Sequence, residues 1–222
     1  MATIAQPRYR QRLAYQAGLL GGICCLVSIL LIVGNRETNG LINTHLEQEK
    51  RDILAKVLPA SLYDNTPLTT VKRLPQSGAF TSPVDVFTAT KEGHFSGAAL
   101  LTSVYGWGSD IHFILAVNAS GEITGVRVIS HRETPGLADK IEVEKSDWIT
   151  HFNGMSLSNT PKSHWAVKKD GGDIDQFTGA TITPRAVVKG IYQSMLVLDQ
   201  WSKQQKAQLQ EQAQKKPEAN KP

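Results

Sequence analysis

The 222-residue sequence predicts an α+β fold: one N-terminal transmembrane helix, then a domain in which an antiparallel sheet packs against helices. Three observations predict it. Residues 13–35 form an apolar run of 23 residues without Asp, Glu, Lys, Arg or His. Several β-branched and aromatic runs crowd the middle of the chain, and an amphipathic stretch that starts at a proline closes it.

The first element, LAYQAGLLGGICCLVSILLIVGN, would be about 34 Å long as a helix, against a hydrocarbon core of about 30 Å. A cleaved leader would have a shorter apolar region and a small-residue cleavage site. Here the run continues to Val33, which favours a retained anchor. Arg8, Arg10 and Arg12 precede it and only Arg36 follows closely, so the positive-inside bias places the N-terminus in the cytoplasm and the rest of the chain beyond the membrane. Adjacent Cys24 and Cys25 diverge by about 100° on a helix, so they read as small apolar fillers rather than a disulfide or metal site. Ala14, Gly18 and Gly22 place small residues on one stripe. Two readings stand for it: a close helix–helix contact, or the ordinary frequency of glycine in membrane helices.

Beyond the anchor, Ile42, Leu46, Ile53 and Val57 keep helical spacing up to Leu58-Pro59, with Asn39-Gly40 as a candidate break. Strands are expected at 84–89, 98–105, 112–117 and 123–130, the last two joined as a hairpin through Asn118-Ala119-Ser120-Gly121. Residues 137–148 read as mixed or helical, and 156–161 and 169–175 as polar loops. The last helix is expected from Thr183-Pro184 to about Trp201, with Val187, Ile191, Met195 and Leu198 on one face. The domain organisation is then a cytoplasmic basic arm (1–12), a transmembrane helix (13–35), one folded domain (36–201) and a polar, disordered tail (202–222).

The net charge of +4 does not describe a basic protein. The positive excess lies in the arginine arm and the lysine-containing tail. The body between them is slightly acidic, which argues against nucleic-acid binding. The chain lacks a P-loop, a GxSxG elbow, an HExxH pair and a CxxC pair, and its six histidines have no metal-ligand spacing. Asp170-Gly-Gly-Asp173-Ile-Asp175 lacks the alternating ligands and closing glutamate of a calcium loop, so no metal and no self-contained catalytic site are expected.

One segment stands apart: Asp175-Gln-Phe-Thr178-Gly179-Ala180-Thr181-Ile-Thr183-Pro184. Two small residues precede a hydroxyl just ahead of a helix N-terminus, where free N–H groups and the helix dipole favour an anion such as a phosphate. The same residues also suit a plain threonine-rich cap, and physical chemistry alone leaves both readings open.

The segment resembles the flavinylation signature Asp-x-x-(Ser/Thr)-Gly-Ala-Thr of FMN-binding domains. In that family a periplasmic flavin transferase joins the phosphate of FMN to the last threonine. The resemblance makes Thr181 the acceptor of a phosphodiester-linked FMN, with Asp175, Thr178, Gly179 and Ala180 as recognition residues. His131-Arg-Glu133-Thr134-Pro135-Gly136-Leu137 resembles the family segment near the flavin, which implies that Glu133, Thr134, Gly136 and Leu137 line the ring or its ribityl chain. Ala138 stands where the family often has glycine. Tyr105 and Trp107 in a Tyr-Gly-Trp-Gly turn offer an alternative stacking wall.

Together with Asp147-Trp148-Ile-Thr-His151-Phe152, His164-Trp165 and Val57-Leu58-Pro59, these segments are similar to the G subunit of Rnf/Rsx ion-translocating electron transport complexes. That resemblance implies a single-pass flavoprotein of the bacterial inner membrane, its FMN domain periplasmic. It would relay electrons among other membrane subunits, between reduced ferredoxin and NADH or toward another redox target, in a complex that moves ions. The alternatives are the C subunit of a sodium-translocating NADH:quinone reductase, which shares the tethered FMN, and a non-redox anchored binding module.

Overall fold

The computed structural model describes the backbone of residues 13–215 and the side chains of 15–32 and 51–211. The arginine arm, residues 216–222 and the side chains of Ile42 and Leu46 lie outside the described residues. The chain divides into two compact units, 1–49 and 50–222.

Helix α1 spans Leu13–Val57 and passes through Asn39-Gly40 without a break. Within the first unit, Tyr15–Ile32 has a mean hydropathy of 2.0 and every side chain exposed, long and apolar enough to cross a membrane.

The second unit is built on a five-stranded antiparallel sheet in sequence order: β1 (Lys72–Leu74), β2 (Val84–Lys91), β3 (His94–Tyr105), β4 (Asp110–Asn118) and β5 (Ile123–Ser130). β1 is an addition to the expected four strands. It is three residues long and largely exposed, so it leaves no alternating pattern to read. The other four cover the expected strands. The expected β4–β5 hairpin forms, with Val117 opposite Ile123, Gly121 at φ +83° and the Asn118 carboxamide oxygen accepting from the Ser120 and Glu122 N–H groups. β2 and β3 meet through Glu92-Gly93, both at positive φ (53° and 77°), a type I′ turn that matches the strand twist and extends both strands beyond the expected ends.

Both sheet faces are covered, so the central strands read as nearly continuous apolar runs rather than alternating ones. One face packs Val86, Leu100, Val104, Phe113 and Leu115 against Val187, Ile191, Met195 and Leu198 of helix α2 (Ile182–Lys215). Gly190 permits that approach: a Cβ there would lie 2.6 Å from Val104 Cγ1. The other face buries Phe87, Ala99, Ile114 and Ala116 under Leu54, Val57 and Leu58 at the end of α1. Pro59 stops that helix, and the Thr124 hydroxyl donates to the Val57 carbonyl at 2.6 Å.

Helix α2 begins one residue before the expected Thr183 and continues to Lys215 rather than ending near Trp201. Residues 202–215 are Ala, Gln, Lys, Glu, Leu and Ser without glycine or proline, a composition that sustains a helix. Part of the stretch also has tertiary contacts. Leu209 packs on the core, and Lys206 donates to the Ala119 carbonyl while lying 5.5 Å from the Phe95 ring centroid. Only its last residues, beyond Lys215, fall outside the described part of the expected tail. The region expected to be mixed or helical, 137–148, holds one short 3-10 turn, Asp139–Ile141, and a second, Trp148–Phe152, begins at its last residue.

Candidate functional site

The two sequence motifs fold into two similar turns that face each other. In the first, Pro135 fixes the second position, Gly136 takes φ +73° at the third, and the Leu137 N–H donates to the Thr134 carbonyl at 3.2 Å. In the second, Gly179 takes φ +82° and the Ala180 N–H donates to the Phe177 carbonyl at 3.1 Å. Positive φ at the third position alone is the type II signature, which glycine adopts without strain. The turns approach closely: a Cβ on Gly179 would sit 3.3 Å from Leu137 Cδ1.

Surrounding contacts pin the second turn. The Trp148 indole N–H donates to the Asp175 carbonyl at 2.7 Å, and its ring meets Phe177 edge-on at 5.1 Å. Arg185, in the first turn of α2, makes a two-pronged bond to Asp170 at 2.5 and 2.7 Å, and its N–H donates to the Thr181 carbonyl at 3.2 Å. Thr181 therefore occupies the N-cap position. Its hydroxyl has no hydrogen-bond partner among the described residues, so the side chain is not spent on capping. Thr183, expected as the cap, instead turns its hydroxyl to the carboxylate of Glu133.

Hydrogen bonding and attraction to Arg185 hold the Asp170 carboxyl below its ordinary value, and the guanidinium is raised in return. A carboxyl lowered in the folded chain stabilises it above the unfolded value and stops doing so as the pH falls through the lowered one. Asp170→Asn is expected to lower the melting temperature at about pH 7, with a smaller gap to the parent at about pH 3, below the ordinary carboxyl value of about 3.9. A gap of equal size at both pH values refutes the assignment.

Glu133 is 4% exposed. Its oxygens accept from the Trp107 N–H at 3.2 and 3.3 Å and from the Thr183 hydroxyl, so one side chain ties the 105–109 turn, the first motif and the start of α2. Gly106 makes room for it, since a Cβ there would lie 2.5 Å from Glu133 Oε1. The Glu133 N–H donates to His131 Nδ1 at 3.0 Å. That leaves Nε2 as the protonated nitrogen facing Glu142 at 2.7 Å, a tautomer assigned from the hydrogen bonds.

Between these segments lies a cleft of about 300 Å³ lined by Trp107, Glu133, Thr134, Leu137, Ala138 and residues 179–183. It brings together Glu133, Thr134 and Leu137 of the first motif with Gly179, Ala180 and Thr181 of the second. Gly136 and Thr178 shape the turns but are not lining residues. Asp175 lies elsewhere. Its exposed carboxylate pairs with Lys168 at 2.7 Å, and it borders a separate hollow of about 450 Å³ beside His151 and His164. Ala138 sits in the wall at φ −106°, a conformation any residue adopts, so glycine is not needed there. The lining residues not singled out as candidates are Ala138, Ile182 and Thr183. Nothing in the sequence marks a Thr183–Glu133 bond across 50 positions.

The cleft suits a phosphorylated, ring-bearing ligand. Ile182 and Thr183 N–H groups open α2 without intrahelical acceptors, beside the Thr181 hydroxyl, where an anion is favoured. Trp107, 67% exposed, and exposed Leu137 and Ile182 offer an apolar rim.

The FMN-binding domain family matches residues 106–195, a stretch that contains every lining residue of the cleft. Across 187 residues the chain is 46% identical to the G subunit of the ion-translocating oxidoreductase complex of Stutzerimonas stutzeri, covering 84% of this chain and 81% of that protein. The chain belongs to the family of G subunits of ion-translocating oxidoreductase complexes. A second member of this G-subunit family, from Cereibacter sphaeroides, is 43% identical over 184 residues, covering 82% of this chain and 83% of its own. The crystal structure of Shewanella oneidensis NqrC overlays with a TM-score of 0.39 at 22% identity, covering 61% of this chain and 64% of that one, a likeness too distant to carry weight.

Proposed function

We propose that this chain is the membrane-anchored flavoprotein subunit of an Rnf/Rsx-type complex, carrying FMN on Thr181 through a phosphodiester bond and relaying electrons within a redox-driven ion translocase. The observation that carries the reading is the convergence of two motifs, more than 40 residues apart in sequence, on one cleft with an uncommitted threonine hydroxyl at a helix N-terminus. When bound, the flavin supplies a reversible electron carrier. The chain's part is to hold and orient it. The Ile182 and Thr183 N–H groups would hold the phosphate end, and Trp107, Leu137 and Ala180 would supply the apolar wall.

Asp175, outside the cleft, serves recognition by the periplasmic flavin transferase rather than contact with the bound flavin. The anchor at 13–35, with Arg8, Arg10 and Arg12 on its cytoplasmic side, places the FMN domain in the periplasm of the bacterial inner membrane beside the other subunits.

The test is co-expression of the full chain with a periplasmic flavin transferase, followed by denaturing electrophoresis. A band fluorescing as flavin, with the mass of FMN less water added, supports the reading, and a dark band overturns it. Placement of the ring against Trp107 makes a separate prediction, because aromatic stacking quenches flavin emission. Denaturing the labelled chain is expected to brighten it several-fold, and Trp107→Leu to be already bright when folded. If the folded variant stays as dim as the parent, the ring does not lie on Trp107.

A further inference from the structure

The Glu133 carboxylate is buried in the wall of the cleft, and every hydrogen bond to its oxygens is a donation, from the Trp107 N–H and the Thr183 hydroxyl. Acceptor-only bonding is the pattern of the ionised form. Among the described residues no basic side chain forms an ion pair with it. The compensating field comes from the N-terminal end of α2, where Thr183 is the second residue, and from the Trp107 amide. The charge is also fixed in place, because the Gly106 backbone closes on Oε1 so tightly that a Cβ would intrude to 2.5 Å.

We propose that Glu133 sets the reduction potential of the site: its fixed negative charge, in the wall of the same cleft as Thr181, opposes electron uptake by a flavin tethered there and keeps the midpoint potential low. This rests on the flavin reading of the cleft. Each electron that arrives without a proton adds one negative charge, and a carboxylate in the surrounding wall repels it. The Thr183 hydroxyl tempers that repulsion by donating to Oε2. Glu133 thus acts through its field, whereas the tether holds the ligand.

The experiment is a redox titration of the full chain, labelled on co-expression with the transferase and purified in detergent. Dithionite is the electron donor, and flavin absorbance reports the oxidised fraction. Glu133→Gln keeps an oxygen to accept from Trp107 and Thr183 but removes the charge. The midpoint potential is expected to rise by the equivalent of a tenfold change in the reduced-to-oxidised ratio, about 59 mV for a one-electron step. Thr183→Val keeps the charge but removes its hydroxyl donor, and the potential is expected to fall. A labelled Glu133→Gln chain with an unchanged or lowered potential overturns the proposal, as does a shift of both variants in the same direction. If Glu133→Gln fails to fold or label, the direction of Thr183→Val decides alone. If the parent chain carries no flavin, the function reading has failed and this inference falls with it.

Discussion

Thr181→Ala is expected to abolish covalent flavin completely: no fluorescent band and no added mass after co-expression with the transferase, while the protein accumulates normally. The substitution removes the hydroxyl at the head of α2, which lines the cleft without a hydrogen-bond partner among the described residues. Its structural cost is small. Thr181 caps α2 through its backbone carbonyl, which accepts from Arg185, and that contact survives in alanine. Thr178→Ala is the matching control. Thr178 is exposed on the turn and outside the cleft, so its hydroxyl cannot take over as acceptor, although its loss would slow recognition. Fluorescence that survives Thr181→Ala, or that follows Thr178 instead, removes the tether from this position.

The largest expected effect on stability comes from the interface that sets the start of α2. Phe113 is fully buried in β4, and its ring would lie 3.3 Å from a Cβ on Gly190. Phe113→Ala leaves a cavity between two rigid elements that cannot both close over it, so it should cost about 3–5 kcal/mol. That corresponds to a fall in melting temperature of roughly 6–20 °C for a domain of this size. The check is a thermal melt of the full chain in detergent. A drop of only a degree or two would mean that the sheet and α2 do not share the tight interface described. Flavin loading should fall with stability, because α2 carries Thr181 at its head.

Much of the fold was legible because burial leaves periodic traces. The β5 boundaries, the Asn118–Gly121 turn and the apolar face of α2 followed from residue type and spacing. What escaped notice had weak local signals. β1 is three mostly exposed residues that gain strand geometry only by pairing with β2. The Glu92-Gly93 turn held a readable glycine, yet the first residue of the pair is an unusual one at positive φ. The extension of α2 to Lys215 follows from helix-forming composition, which a polar, low-apolar stretch disguises as disorder.

At the site, the second motif was visible as small residues and a hydroxyl ahead of a helix N-terminus, and the first through its resemblance to the family segment. The Glu133–Thr183 bond was not, because a hydrogen bond between positions 50 apart depends on the folded topology rather than on any local pattern. Thr181 and Thr183 look alike as hydroxyl-bearing cap candidates. They separate only once one hydroxyl is seen bonded to a carboxylate and the other is not.

The open mouth of the cleft has a consequence for affinity. A soluble cofactor held by binding alone needs a pocket that encloses most of its surface, and enclosure would hide the ring from any electron-exchange partner. With a covalent tether, retention no longer depends on a dissociation constant. The ring of an FMN tethered as proposed would be held at an effective concentration set by the short reach of its own ribityl phosphate. Contacts as modest as those offered by Trp107, Leu137 and Ile182 would then suffice to keep it docked. The exposure of these side chains, a liability in a pocket that must bind, is compatible with the proposed exchange of electrons with another redox centre.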